Sequence, residues 1–152
     1  LRAGADAAAA FRETHMIGPD QPLALCLPGS RRGEVSRLGP VFDEALMQLR
    51  DREPGLRVVV PTVRGVAKLV REMTARWPVA PIVVEDSDDK RAAFAAADLA
   101  LAASGTVSLE LAASRTPMVM VISRWTVSVS LPARVNFLAQ ASISGDGLCT
   151  RM

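Results

Sequence analysis

The sequence predicts an α/β fold, a doubly wound and mostly parallel Rossmann-like sheet of about five strands. Near-continuous apolar runs of strand length alternate with segments of helical periodicity, which is typical of strands buried on both faces. The chain has 152 residues, of which 49% are hydrophobic and 22% charged, enough for an independent core. No apolar run approaches the roughly 18 residues that a transmembrane helix needs.

Five predicted strands share a short apolar run bounded by polar or turn-forming residues. They are residues 23–27 (LALCL), 57–61 (RVVVP), 81–85 (PIVVE), 98–102 (DLALA) and 118–122 (MVMVI). Cys26 lies inside the first run, and we interpret it as a small core residue. The second cysteine is far away in sequence, which argues against a disulfide framework or a cysteine zinc site.

The segments between these runs predict helices, because their apolar residues recur on one face. The apolar positions are 41, 42, 45, 46 and 49 in one segment and 66, 69, 70, 73 and 77 in the next. Residues 53–55 (EPG) end the first of these segments. We also predict a short alanine-rich helix at 3–12, one at 90–97 capped by Asp88 or Asp89, and one at 106–114.

Two loops are the strongest candidates for a ligand site. With strand order 3-2-1-4-5, strands one and four flank the switch point, beyond which open parallel sheets bind ligands. Residues 28–34 (PGSRRGE) follow strand one, and residues 103–106 (ASGT) follow strand four. Small residues, helix N-termini and the guanidinium groups of Arg31 and Arg32 suit an anion such as a nucleotide diphosphate. The alternative is two ordinary strand-to-helix turns.

The presence or absence of other motifs excludes several classes of function. G-x-G-x-x-G and G-K-[ST] are absent, which argues against nicotinamide oxidoreductases and P-loop NTPases. The net charge of +2 does not indicate nucleic acid, and His15, the one histidine, has no neighbours that suggest a catalytic triad. The D-x-D at 86–88 precedes a helix and indicates a capped turn rather than a metal site. Glu110 can face a ribose, although alone it is better explained as a solvated helical residue.

Three segments together resemble the lipid-A-disaccharide synthase family: PGSRRGEV, SGTVSLELA and TPMVMV. The resemblance runs from about residue 3 to about residue 121. It implies one half of the GT-B architecture and a reaction without metal or other cofactor. The family joins UDP-2,3-diacylglucosamine to 2,3-diacylglucosamine 1-phosphate and releases UDP, so the implied partner is the UDP-diacylglucosamine donor and no nucleic acid.

Seven positions match the family's donor-binding motifs: Gly29, Ser30, Arg31, Ser104, Gly105, Thr106 and Glu110. The resemblance implies that the first three face the donor diphosphate, that the next three form a second phosphate loop, and that the last one holds the nucleotide ribose. The other readings left open are a different UDP-sugar GT-B enzyme, similar to UDP-N-acetylglucosamine 2-epimerase or the peptidoglycan N-acetylglucosaminyltransferase, and a non-catalytic nucleotide-binding fragment.

The sequence departs from the family in two places. The family's amino-terminal half, which holds the lipid acceptor site and the catalytic carboxylate, has no counterpart here, so we assign no catalytic residue and expect this chain alone to be inactive. We expect a cytoplasmic protein whose peripheral membrane contact does not come from this segment.

Residues 1–122 are predicted as the nucleotide-sugar-binding domain. Residues 123–152 are predicted as an atypical tail, disordered or out of frame, with a strand-like alternation from Trp125 to Leu131.

Overall fold

The computed structural model describes the backbone of residues 2–103, 118–122, 125–130, 141–142 and 149–150, and the side chains of residues 4–102. Its main sheet contains β1 (Leu23–Leu27), β2 (Arg57–Pro61), β3 (Ile82–Val84), β4 (Leu99–Ala103), β5 (Met118–Ile122) and β6 (Trp125–Ser130). The spatial order is β3-β2-β1-β4-β5-β6. β1 to β5 run parallel, which confirms the predicted doubly wound sheet, and β6 lies antiparallel to β5 at one edge.

Four helices lie in the part of the chain that the structure describes, one before β1 and three between successive strands. They are α1 (Arg2–Thr14), α2 (Arg32–Arg52), α3 (Ala67–Thr74) and α4 (Ser87–Ala96). The predicted helix at 106–114 lies outside the described residues. Within them, no helix is both long and apolar enough to cross a membrane.

Each face of the sheet has its own hydrophobic cluster, because alternate strand residues point to opposite sides. On one face Cys26, Val58 and Val60 pack with residues of α2 and α3, among them Phe42 and Val70. On the other face Leu25, Val59 and Ala100 pack with Phe11 of α1 and Phe94 of α4. Burial on both sides explains why the strands appear in the sequence as continuous apolar runs.

The structure corrects the predicted start of α4. The capping residue is Asp86, whose side chain accepts hydrogen bonds from the backbone N–H groups of Asp88 and Asp89 at 2.8 and 3.3 Å. These bonds favour the charged carboxylate and lower the pKa of Asp86. The helix therefore begins at Ser87, and the D-x-D sequence forms a capped turn, as predicted.

The carboxyl-terminal segments of the described chain are short strands. β6 forms where the sequence alternation predicts a strand, and it pairs with β5 through Val119↔Val129 and Val121↔Thr126. β7 (Ala141–Ser142) and β8 (Cys149–Thr150) form a separate antiparallel pair. The division of the chain at residue 122 stays a prediction.

Candidate functional site

The second residue of the loop between β1 and α2 is a glycine whose backbone conformation and surroundings disfavour a side chain. Gly29 has φ +107°, a backbone conformation that residues with a side chain rarely adopt. A Cβ atom at this position would lie 2.5 Å from Oε2 of Glu34 and 2.9 Å from its Cβ. Gly29 therefore lets the chain turn sharply from the buried Pro28 into the first turn of α2.

The amino terminus of α2 is exposed to solvent and carries two arginines, Arg31 and Arg32. The residue before the helix is Arg31, in an extended conformation, and its side chain caps none of the first N–H groups. Its guanidinium is exposed, and Ser30, Arg32 and Gly33 are exposed beside it. Uncapped N–H groups at the positive end of a helix, next to an arginine, form an arrangement that can bind a phosphate group.

Glu34, in the first turn of α2, folds back onto this loop and was not singled out from the sequence. Its carboxylate lies against Gly29, and its Oε1 is 3.5 Å from Nη1 of Arg31. An acidic residue stabilises the first turn of a helix because its negative charge lies near the positive end of the helix dipole, as the charge of a phosphate would. A phosphate at this loop would therefore compete with the Glu34 carboxylate for Arg31.

The sheet order brings the second predicted loop next to the first. β1 pairs with β4 through Leu27↔Ala102, so the two strands end side by side at the carboxyl edge. The second loop starts directly after Ala103, the last residue of β4. Ser104, Gly105, Thr106 and Glu110 lie outside the described residues, so their contacts with a ligand stay predictions.

Two other groups singled out in the sequence take no part in this site. Cys26 is fully buried in the core, and burial raises the pKa of its thiol, so this cysteine stays protonated and unreactive. The His15 ring packs against the Phe11 ring with centroids 4.4 Å apart. In the portion of the chain with described side chains, no group of three or more His, Cys, Asp or Glu residues is placed to hold a metal ion.

Comparison with known proteins identifies the family. The family model described as lipid-A-disaccharide synthetase matches residues 3–136. The chain belongs to this family. The match includes both candidate loops and continues past residue 122 into the segment predicted as an atypical tail.

Members of the lipid-A-disaccharide synthetase family from other bacteria are closely similar to this chain. The lipid-A-disaccharide synthase of Ruegeria pomeroyi is 54% identical over 125 residues, which cover 77% of this chain and 31% of the relative. That of Rhodospirillum centenum is 48% identical over 136 residues, which cover 88% and 34%. The chain thus spans about a third of the length of the curated relatives it matches.

A solved structure supports the fold assignment. The UDP-GlcNAc 2-epimerase from Neisseria meningitidis, solved bound to UDP-GlcNAc, matches with a TM-score of 0.57 at 14% sequence identity. The match covers 78% of this chain and 32% of the epimerase. At 14% identity, the similarity to the epimerase shows only that the two chains share a fold. The assignment of this chain to the lipid-A-disaccharide synthetase family rests on the sequence matches.

Proposed function

We propose that this chain is the donor-binding part of a lipid-A-disaccharide synthase. The proposed reaction joins UDP-2,3-diacylglucosamine to 2,3-diacylglucosamine 1-phosphate and releases UDP. The observation that carries the proposal is the loop of Gly29 and Arg31 at the switch point, in a chain that the family model matches from residue 3 to residue 136. The sequence matches favour this reaction over those of other UDP-sugar enzymes with a similar fold.

The proposed role of the loop is to bind the donor diphosphate and stabilise it as it leaves. When the bond between the donor sugar and UDP breaks, negative charge develops on the departing phosphate oxygen. The backbone N–H groups at the start of α2 are held in place by the helix, and the exposed Arg31 guanidinium is free to turn from Glu34 toward the phosphate, so both can stabilise this charge. In the same proposal, Ser104, Gly105 and Thr106 complete the phosphate site and Glu110 accepts hydrogen bonds from the ribose.

The lipid acceptor is proposed to bind mainly to the portion of the enzyme that this chain does not include. That portion would also supply the catalytic carboxylate and any peripheral contact with the cytoplasmic face of the inner membrane. This division follows from the family's two-domain arrangement, in which donor and acceptor meet in a cleft.

The proposal is tested by replacing Arg31. Charged hydrogen bonds contribute about 1.5–3 kcal/mol each, so Arg31→Ala is expected to weaken UDP binding roughly 10- to 150-fold. Uridine has no phosphate, and its affinity should change little. Titration calorimetry measures both ligands, with NMR titration as the method if dissociation constants are millimolar.

Arg76→Ala provides the matched control, because Arg76 is an exposed arginine just after α3, at the opposite edge of the sheet. It removes the same charge and should leave UDP affinity unchanged. Equal UDP affinity of the parent and Arg31→Ala would contradict the phosphate role of this loop. Equal losses in both arginine variants would show a general effect of net charge instead.

A further inference from the structure

Thr62, the first residue after β2, carries a buried hydroxyl group that has no hydrogen-bond partner within the described part of the chain. The residue is 5% exposed, and its Oγ1 atom meets no donor or acceptor among the residues that the structure describes. Burying an unpaired hydroxyl is unfavourable, whereas valine would fill the same space without that cost. A hydroxyl left unpaired in this way is a group to which an incoming ligand can bind.

The strand register places Thr62 beside the phosphate loop. β1 and β2 are paired through Leu25↔Val59, and continuing this register places Thr62 opposite Pro28, the residue before Gly29. Neighbouring strands are separated by about 4.8 Å. The Thr62 N–H donates to the carbonyl oxygen of Val84 at 2.8 Å, which fixes the backbone at this position.

The alternation of side chains also places the hydroxyl on the side of the sheet where α2 begins. Val58 and Val60 belong to the hydrophobic cluster formed with α2 and α3, and Thr62 is the next residue in that alternation. Cys26 belongs to the same cluster, so Pro28 follows it on the same side. Register and alternation together therefore place Thr62 next to Pro28, on the side of the sheet where α2 begins.

We infer that Thr62 is a further donor-binding residue, whose hydroxyl donates a hydrogen bond to the diphosphate held at residues 28–31; this rests on the proposed function. Oγ1 is closed to solvent in the free chain, so the loop has to open for the contact to form. The Glu34 carboxylate covers Gly29 and meets Arg31 only at 3.5 Å. An incoming phosphate replaces this weak contact, and opening of the loop then exposes the Thr62 hydroxyl to the ligand.

The test compares Thr62→Val with Thr62→Ser in the full 152-residue chain, with UDP and uridine as ligands. Thr62→Val removes the hydroxyl and keeps the shape, so we expect UDP affinity to fall about tenfold, the loss of one hydrogen bond to a charged group. Uridine affinity should stay the same, and the melting temperature of the free chain should stay the same or rise. Thr62→Ser keeps the hydroxyl and should bind UDP within about twofold of the parent despite a lower melting temperature.

Each other result overturns the inference in a recognisable way. Unchanged UDP affinity in Thr62→Val, with a parent that binds UDP, rejects the role of Thr62 and leaves the proposed function intact. A clear drop in the melting temperature of free Thr62→Val would mean that the hydroxyl already has a partner, such as a buried water molecule, in the free chain. A parent without affinity for UDP rejects the proposed function and this inference with it.

Discussion

Arg12 joins three segments of the chain at the amino edge of the sheet. Its guanidinium donates to the carbonyl oxygens of Gly18 and Gln21 at 2.9 Å and of Ala96 at 2.8 Å. It also pairs with Asp98 at 2.8 Å, and the same Asp98 oxygen accepts from the Leu23 N–H. One side chain thus fixes α1, the entry to β1 and the connection from α4 to β4.

Arg12→Ala is therefore expected to destabilise the fold. The Arg12 side chain is 14% exposed, so solvent replaces its bonds poorly, and the loss should be about 2–3 kcal/mol. For a chain of this size that corresponds to a fall in melting temperature of roughly 4–12 °C. Thermal unfolding followed by circular dichroism measures it.

Arg91→Ala is the control for this prediction, because Arg91 also pairs with an aspartate but is 80% exposed. Exposed pairs of this kind contribute about 0–1 kcal/mol. A melting temperature for Arg12→Ala no lower than that of Arg91→Ala would contradict a structural role for the Arg12 network.

The packing of α2 on α3 depends on a second glycine. Gly39 is buried in α2, and a Cβ atom there would overlap the sulfur and Cγ of Met73 in α3. The next residue, Pro40, lies inside the helix and cannot donate to the carbonyl of Ser36, an exposed residue where solvent replaces that bond. The Gly39-Pro40 pair thus allows close approach of the two helices without ending α2.

Gly39→Ala should destabilise the fold less in a Met73→Ala background than in the parent. In the parent the added methyl group overpacks the contact with Met73, and we expect a loss of about 1–3 kcal/mol. In a Met73→Ala background that overlap is gone, and only the crowding of the new Cβ atom against the Pro40 ring opposes the higher helix propensity of alanine, so the loss should be below about 1 kcal/mol. Denaturant unfolding of the four variants gives the coupling free energy between the two positions; equal losses in both backgrounds would show that Met73 does not restrict Gly39.

The sequence predicts the elements well where burial is symmetric. β1 and β2 have the predicted bounds, because strands covered on both faces leave uninterrupted apolar runs, and the bounds of β5 are also as predicted. β3 is shorter than the predicted 81–85, since the run begins with a proline and ends in the exposed Glu85. The start of α4 was misplaced because 86–89 offers three aspartates, and only backbone conformation shows that Asp86 is the one outside the helix.

The position of the candidate site was predicted for a related reason. A glycine-containing loop between a strand and a helix is visible in sequence, and the structure places Gly29, Ser30 and Arg31 at the switch point, while their contacts with a ligand stay predictions. Glu34 and Thr62 were not singled out, because the contact of Glu34 with Gly29 and the position of Thr62 depend on how a side chain folds back and on the register between two strands. Neither property leaves a local sequence pattern.

At the scale of the whole molecule, the proposed function gives this chain the donor-binding part of a reaction that also needs an acceptor-binding part. Positioning two substrates against each other supplies a large part of the rate of a bimolecular reaction. This chain spans about a third of its relatives. We expect it to give no disaccharide when supplied with both lipid substrates, as measured by mass spectrometry of the products.

The positive control for this prediction is the whole lipid-A-disaccharide synthase of Ruegeria pomeroyi under the same conditions. Turnover by the 152-residue chain alone would contradict the proposed division of the enzyme into donor-binding and acceptor-binding parts.

The Glu34 carboxylate has a further consequence for the thermodynamics of binding. Because it already lies beside Arg31, the proposed binding of a diphosphate at this loop would exchange one anion for another. The measured free energy of UDP binding would then be the difference between the interaction of Arg31 with the diphosphate and its interaction with the Glu34 carboxylate. Added chloride competes with the phosphate but also weakens the internal pair, so these two effects of ionic strength partly cancel. Replacing Glu34 with glutamine leaves Arg31 without a competitor, and the dissociation constant of UDP then rises more steeply with salt.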